Sequence, residues 1–296
     1  MSKSALRKAY YSAAQAIDQT KLSFQSINDY KQIVRLGLEQ LNKQGFTLHS
    51  VEQLKQKHFD KLVSYWKEIK LSSGTIKNRL SVFRRVAEVS GRAQIIKSNQ
   101  EYGIDPRSYI SSVSKGIYDL DLEKIKDTYI KASLELQREF GLRREESIKF
   151  KPHQADISHS IVLQASWTKG GIERQVPITT TSQRDCLERI KVLVDKDMSL
   201  IPEDKNYRQQ RDTYDYLTHK NGFKNLHGLR HAYAQNRYEI LTNKLTNGYG
   251  WKSPIQNGPK TSQLNSYERF IDKSVRMMIS QELGHSRLNI TKSYLK

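Results

Sequence analysis

Apolar residues recur at steps of three and four along the first hundred residues, which is the spacing of helices with one buried face. The clearest such stretch is 24–44, and Gly45 follows it as a stop. A weaker pattern covers 3–18. The apolar residues of the clearest stretch are Ile27, Tyr30, Val34, Leu38 and Leu41.

Serines mark the starts of two further predicted helices in this part of the chain. Ser50 predicts the N-cap of a helix that runs to Trp66. Ser72 or Ser73 predicts the N-cap of another, which Gly91 ends. These stretches together predict an all-helical N-terminal domain.

Residues 91–118 lose the helical periodicity and gather glycine, proline and serine, a composition that suits a crossing between domains. We therefore predict a helical domain at 1–105, a linker at 106–118 and a second domain at 119–296.

The second domain mixes helical and extended patterns. Residues 157–167 and 173–178 are predicted as β-strands, and the Gly-Gly between them predicts a tight hairpin turn with Lys169 at its tip. The expected class is therefore α+β, mainly α, with a small β-sheet. The predicted helices of this domain lie at about 119–140, 181–196, 205–220, 227–240 and 272–283.

The chain is strongly basic, with 50 Lys and Arg against 31 Asp and Glu, a formal charge of +19. Residues 1–118 hold 20 basic and 9 acidic side chains, so this part is the more basic per residue. Such charge attracts nucleic acid, an anionic membrane surface or an acidic protein. Because the sequence lacks a run of roughly 18 apolar residues and an apolar signal core, we expect a cytoplasmic protein and no membrane partner.

Six basic residues are predicted on the exposed faces of the N-terminal helices, where few acidic residues accompany them. We interpret them as DNA phosphate contacts, the alternative being an ordinary solvated helix surface. They are Lys70, Lys77, Arg79, Arg84, Arg85 and Arg92.

Neither metal nor cofactor chemistry is indicated. The single cysteine, Cys186, lies in a helical pattern and is predicted to pack there. His219, His227 and His231 have no carboxylate or cysteine at a recognisable metal-ligand spacing. The sequence Lys-Gly-Gly at 169–171 lacks the Gly-Lys-Ser/Thr ending of a nucleotide-binding loop.

Five elements follow one another along the second domain. Arg143 follows a Gly-Leu turn, Lys169 lies in the predicted hairpin, and His227 and Arg230 form a His-x-x-Arg box. A Leu-Gly-His box at 283–285 and Tyr294 complete the order. This set resembles the signature of the tyrosine recombinase, or phage integrase, family. The resemblance implies a SAM-like core-binding domain followed by a mixed, mainly helical catalytic domain.

The resemblance also implies roles for these residues. Tyr294 would attack a DNA phosphate, giving a 3′-phosphotyrosyl link and a free 5′-hydroxyl. Arg143 and Arg230 would bind the non-bridging oxygens, where negative charge develops. Lys169 would protonate the departing 5′-oxygen. The alternative for this lysine is an ordinary exposed turn residue.

Supporting positions follow from the same resemblance. His227 and His285 would support the phosphate and the nucleophile. Arg144 competes with Arg143 for the first arginine position, and the Gly-Leu-Arg order favours Arg143. Glu146 would brace that arginine or a neighbouring histidine.

The implied function is a site-specific DNA recombinase (integrase) that integrates or excises a mobile element, with resolution of DNA dimers as the next task. It would act without a cofactor on double-stranded DNA, clamped between the two domains, as a homotetramer on two DNA sites. An accessory DNA-bending or directionality protein is a further partner that the resemblance allows. Two alternatives are a non-cleaving DNA-binding regulator on the same scaffold and a relaxing type IB topoisomerase-like enzyme.

One stretch departs from the family pattern. More residues separate Arg230 from His285 than the family usually needs, and the surplus falls in the Gly/Pro-containing stretch 242–266. We call this stretch the insertion. It is either a passive surface loop or a contact with DNA or a neighbouring subunit through Lys244, Trp251, Lys252 and Lys260.

Overall fold

A computed structural model describes residues 3–106, 112–285 and 287–296 of the chain. The chain divides into two compact units, Met1–Ser108 and Tyr109–Lys296. The division falls inside the range 106–118 that the sequence predicts as a linker. Among the described residues, no helix is long and apolar enough to cross a membrane.

The first unit is all-helical. Ser23 and Ser72 cap the second and fourth helices by accepting the backbone N–H groups of Ser26 and Thr75. Their apolar faces meet in one core, whose largest members include Phe59, Trp66 and Phe83. The α-helices are α1 (Lys3–Asp18), α2 (Phe24–Lys43), α3 (Gln56–Glu68) and α4 (Ser73–Val89).

The prediction that a helix begins after Ser50 is wrong. Val51–Gln53 is a separate 3-10 turn, Leu54 is extended, and α3 begins only at Gln56. The chain restarts there because the backbone N–H of Lys55 donates to His58 Nδ1 at 2.9 Å, which closes the first turn of α3.

The stretch 91–118, which lacks helical periodicity, packs on the first unit at one end and on the second unit at the other. Ile96, Tyr102 and Ile104 are buried in the core of the first unit. On the other side, the backbone N–H of Ile117 donates to Gly228 O in the second unit at 3.0 Å. Part of the predicted linker is therefore docked on the second unit.

In the second unit, helix α10 (Gly228–Leu245) is buried along most of its length. The helix predicted at 119–140 begins at 128 instead, because Asp127 caps it by accepting the N–H of Ile130, and Leu122–Lys124 forms a separate 3-10 turn. Cys186 is fully buried in the core, which confirms its prediction as a packing residue. The α-helices are α5 (Thr128–Phe140), α6 (Arg144–Ile148), α7 (Pro152–Ala155), α8 (Thr181–Leu193), α9 (Tyr207–Lys220), α10 (Gly228–Leu245), α11 (Ser266–Glu282) and α12 (Lys292–Leu295).

The small sheet consists of antiparallel strands β1 (Ser160–Leu163) and β2 (Arg174–Pro177). Because Leu163 pairs with Arg174, the connection is the loop 164–173 and the predicted tight Gly-Gly hairpin is wrong. A 3-10 turn in this loop buries Trp167, whose ring contacts Phe150 with centroids 6.1 Å apart. Burial of that indole ends β1 earlier than the residue pattern suggests.

The insertion is shorter than predicted and is anchored to the core. Helix α10 continues to Leu245 and α11 begins at Ser266. Trp251 Nε1 donates to the buried hydroxyl of Tyr238 at 3.0 Å, and Ser253 is fully buried. At least this part of the insertion is structural.

Gly141 ends α5 in the left-handed conformation, with φ of 61°. A Cβ atom at this position would lie 2.5 Å from Cδ1 of Tyr233. Both the backbone angle and the lack of space therefore call for glycine.

We predict that Gly141→Ala lowers the free energy of unfolding by about 3 kcal/mol, since backbone strain and overpacking add. Gly170→Ala is the matched control, because Gly170 also has a positive φ but nothing lies within 4 Å of its Cβ position. The control should lose only about 1 kcal/mol. Urea denaturation of both variants measures the difference, and equal losses would contradict the packing argument.

Candidate active site

Arg230 on α10 lies at the centre of the candidate site and is 1% exposed. Its guanidinium donates through Nη1 to Gly141 O and through Nη2 to Leu283 O. These carbonyls belong to the C-terminal ends of α5 and α11, where helices carry partial negative charge. Two helix ends therefore hold one buried cation.

Glu146 on α6 gathers two more arginines around the same point. Its carboxylate accepts Arg143 Nη1 at 2.6 Å and both terminal nitrogens of Arg174 at 2.6 and 2.9 Å. Arg230 Nη1 lies 4.0 Å from the carboxylate. We call these three arginines and Glu146 the arginine cluster.

Glu146 and Arg230 are both charged at neutral pH. Burial alone would raise the pKa of Glu146, but hydrogen bonding and positive charge from Arg174, Arg143 and Arg230 outweigh it and lower that pKa to about 2. Burial lowers the pKa of Arg230 to about 10, which leaves it charged at neutral pH. Three guanidinium groups against one carboxylate give the cluster a net charge of +2. Such a cluster favours binding of an anion.

Tyr294 on α12 points its hydroxyl into this region and is 4% exposed. The oxygen lies 3.2 Å from His285 Nε2 and 3.5 Å from Arg230 Nε. The phenol ring also lies against His231, with centroids 4.6 Å apart. One hydroxyl thus contacts both a cation and an imidazole.

The imidazoles beside Tyr294 are held in the neutral form. Burial, followed by the positive charges of Arg230 and Arg143, lowers the pKa of His285 to about 4. Burial, followed by neighbouring His227 and Lys115, lowers the pKa of His231 to about 4. A neutral His285 at neutral pH can accept a proton from the phenol.

Two family models match the chain. The model described as "Phage integrase, N-terminal" matches residues 10–96, and the model described as "Integrase" matches residues 111–236. The chain belongs to the phage integrase, or tyrosine recombinase, family. No curated protein sequence matches it.

Solved structures of similar fold agree with this membership. The Tn1549 transposon integrase in complex with circular intermediate DNA is 13% identical, with a TM-score of 0.53, covering 96% of this chain and 95% of that one. The XerH recombinase bound to palindromic difH substrate is 15% identical, with a TM-score of 0.56 and coverage of 93% and 77%. A lambda integrase dimer bound to a COC′ core site is 12% identical, with a TM-score of 0.59 and coverage of 97% and 76%. The predicted fold class is confirmed.

The structure brings together six of the residues singled out from the sequence. Arg143, Glu146 and Arg230 lie in the arginine cluster. His285 contacts the Tyr294 hydroxyl, and the ring of His227 lies 6.1 Å from the ring of Tyr294.

Two other basic residues lie apart from these six. Lys169 is exposed on the loop 164–173 and makes none of the hydrogen bonds or ion pairs found within the cluster, as far as the described residues show. Arg144 instead pairs with Asp215 at 2.5 Å on an exposed surface, so the geometry favours Arg143 for the first arginine position.

Sequence reasoning missed Arg174 and considered His231 only as a metal-ligand candidate. Arg174 is buried and shares the inward face of β2 with Val176. The available signal was the position of Arg174 on the inward, apolar face of the strand, because a charged residue there needs a buried counter-charge. That counter-charge, Glu146, comes from a distant part of the chain.

Several predicted DNA contacts of the first unit are engaged within the unit. Arg84 donates to Lys97 O at 2.6 Å, and Arg79 stacks over Trp66 with its Cζ 5.3 Å from the ring centroid. Lys70 is exposed and Lys77 half-exposed. Arg92 donates to Glu52 O and Arg85 pairs with Glu88. DNA binding by all six stays a prediction.

We predict that Glu146→Gln lowers the free energy of unfolding by about 3 kcal/mol at pH 7, because it leaves buried arginines without their counter-charge. The loss should shrink as pH falls. The folded pKa of about 2 lies below the ordinary 4.5, so the stabilisation is complete above pH 4.5 and disappears as pH falls towards 2.

Glu145→Gln is the matched control, because Glu145 lies on the same helix but pairs with Lys149 in a partly exposed position. It should cost under about 1 kcal/mol. Urea titrations at several pH values compare the two variants. A loss for Glu146→Gln that is independent of pH would count against the buried carboxylate as the centre of the cluster.

Proposed function

We propose that this chain is a site-specific DNA recombinase that cleaves and rejoins duplex DNA through a 3′-phosphotyrosyl intermediate. The observation that carries the proposal is the Tyr294 hydroxyl, which lies within 3.5 Å of both Arg230 Nε and His285 Nε2 beside a cluster of net charge +2. A nucleophile, a proton acceptor and an anion site thus meet at one point.

The cleavage step follows from these positions. Arg143 and Arg230 bind the non-bridging oxygens of the phosphate and stabilise the negative charge of the transition state. The phenol oxygen of Tyr294 forms a bond to phosphorus while the bond to the 5′-oxygen breaks. The phenol proton passes to His285, whose Nε2 lies 3.2 Å from the hydroxyl and which is neutral at pH 7.

The departing 5′-oxygen takes a proton from Lys169. This lysine is exposed on the loop 164–173, where its ammonium group is accessible to bound DNA. Rejoining is the reverse reaction, in which a 5′-hydroxyl attacks the phosphotyrosyl bond. The energy of the broken bond is kept in the protein–DNA link, and neither ATP nor a metal ion takes part in the scheme.

The substrate and the assembly are inferred from relatives and from the reaction. The solved structures of the Tn1549 integrase, XerH and lambda integrase are complexes with DNA sites, which supports duplex DNA as the partner. The transposon relative supports integration or excision of a mobile element. Exchange between two duplexes cuts four strands, and each protomer supplies one Tyr294, so four copies are needed on two sites.

A nicked suicide duplex tests the proposal. Duplexes tiled across the DNA that flanks the gene are incubated with the full chain and with Tyr294→Phe. We expect the unaltered chain to become covalently trapped on a subset of them and Tyr294→Phe to bind those same duplexes without an adduct. A regulator would give no adduct with either protein, and relaxation of plasmids without any such site would indicate a topoisomerase.

We predict that Arg143→Ala slows adduct formation by about 10² to 10³, the usual cost of losing one donor to a developing oxyanion. The fold should survive, because Arg143 is partly exposed and Arg174 still neutralises Glu146. Arg144→Ala is the matched control and should leave the rate nearly unchanged, since Arg144 faces Asp215. Single-turnover rates and DNA dissociation constants are measured for both. Equal losses of binding and rate in Arg143→Ala would reduce its role to a binding contact.

A further inference from the structure

Gln235 on α10 is fully buried and uses both ends of its side-chain amide. Its Nε2 donates to the backbone carbonyl of Tyr294 at 2.9 Å. Its Oε1 accepts the hydroxyl of Ser114 at 2.9 Å and the hydroxyl of Tyr118. The side chain therefore links the candidate nucleophile to a remote segment.

Ser114 and Tyr118 belong to the stretch 112–118, which follows the first unit along the chain. This stretch lies on the start of α10, where the N–H of Ile117 donates to Gly228 O at 3.0 Å. A Cβ atom on Gly228 would lie 2.5 Å from Lys115 O, so the approach is close. We call 112–118 the entry segment.

The insertion reaches the same point. Gln256 Nε2 donates to the hydroxyl of Tyr118 at 3.1 Å. The 3-10 turn Pro254–Gln256 that carries it follows the fully buried Ser253, whose hydroxyl donates to Gln256 Oε1 at 2.9 Å. The insertion is thus joined to the entry segment at Tyr118, and the buried amide of Gln235 joins the entry segment to α12.

The short helix α12 needs anchors of this kind. Four residues make too few backbone hydrogen bonds to hold a helix by themselves, so tertiary contacts have to place it. Leu295 is buried, and Arg276 Nη2 donates to Lys296 O at 3.0 Å. Gln235 donates a hydrogen bond to the backbone of Tyr294 itself. A displacement of about 1 Å at a reacting group can lower the reaction rate by two orders of magnitude.

We propose that Gln235 is a positioning residue that makes the placement of the Tyr294 hydroxyl depend on the entry segment and the insertion. It touches Tyr294 through the backbone and acts on the reaction through that contact alone. Removing the Tyr118 hydroxyl takes one partner from Gln235, and removing the amide of Gln235 takes one of several anchors from α12. The catalytic consequence rests on the proposed function, whereas the mechanical link does not.

Two variants and one control test the link. Gln235→Met keeps an unbranched side chain of similar length but has no amide, and Tyr118→Phe removes one hydroxyl from a side chain that is exposed. Asn236→Ala is the control, because Asn236 is the exposed neighbour of Gln235 on α10. Hydrogen exchange, followed by mass spectrometry on the full chain without DNA, reports on the amides of 294–296.

We expect exchange at these amides to rise about tenfold in Gln235→Met, the factor for one lost buried hydrogen bond, and about threefold in Tyr118→Phe. Asn236→Ala should leave it unchanged. On the suicide duplex, Gln235→Met should form adduct about tenfold more slowly with its DNA dissociation constant unchanged, a split that general loss of structure would not give. Tyr118→Phe should lie between Gln235→Met and the unaltered chain.

Unchanged exchange in both Gln235→Met and Tyr118→Phe would overturn the proposal. If Gln235→Met fails to fold, Tyr118→Phe decides the question by itself, because its side chain is exposed. If exchange rises in the variants but the unaltered chain never forms an adduct, the link is supported and the proposed function is contradicted. Adduct formation at an unchanged rate in Gln235→Met would leave the proposed function standing and contradict the positioning role.

Discussion

The candidate site depends on one buried carboxylate among three guanidinium groups. Without Glu146, Arg143, Arg174 and Arg230 would bring three positive charges together in a region shielded from water, where their repulsion is strong. With it, the guanidinium groups can be packed side by side. The carboxylate is outnumbered, so the cluster keeps a charge that an incoming phosphate can neutralise.

The same arrangement sets the protonation of its neighbours. Burial, followed by nearby positive charge, lowers the pKa of His285 and His231 and holds them neutral around Tyr294, so an imidazole nitrogen beside the hydroxyl is available as an acceptor. The carbonyls of Gly141 and Leu283 accept hydrogen bonds from Arg230 and hold it in place. Both carbonyls lie at the end of a helix, where Gly141 in one case and Gly284 in the other adopts the left-handed conformation. Anion site, proton acceptor and nucleophile therefore share one set of contacts.

Local signals in the sequence predicted most of the helices, and the order of the five motif elements predicted the family. Periodicity found α2 and α4, and the caps at Ser72 and Gly91 were visible because capping involves residues close in sequence. The same reasoning placed the start of α5 too early, since Asp127 and Thr128 lie inside a stretch of helix-compatible residues. Contacts between residues close in sequence therefore revealed most helices, but they did not fix the starts of α3 and α5.

Contacts between distant residues were the main source of error. The strand length of the hairpin was set by burial of Trp167, and the internal use of Arg84 and Arg79 by backbone and ring partners that no spacing reveals. Arg174 and Gln235 were missed for the same reason, because their partners lie 28 and 59 residues away along the chain. Buried polar residues on apolar faces are the signal to look for in such cases.

A structure of the Tyr294→Phe variant bound to nicked duplex DNA tests the central claim most directly. The account predicts a backbone phosphate whose non-bridging oxygens lie about 3 Å from guanidinium nitrogens of Arg143 and Arg230, with the ring at position 294 beside the phosphorus. A phosphate bound away from these arginines, or a ring withdrawn from a phosphate that is correctly seated, would contradict it.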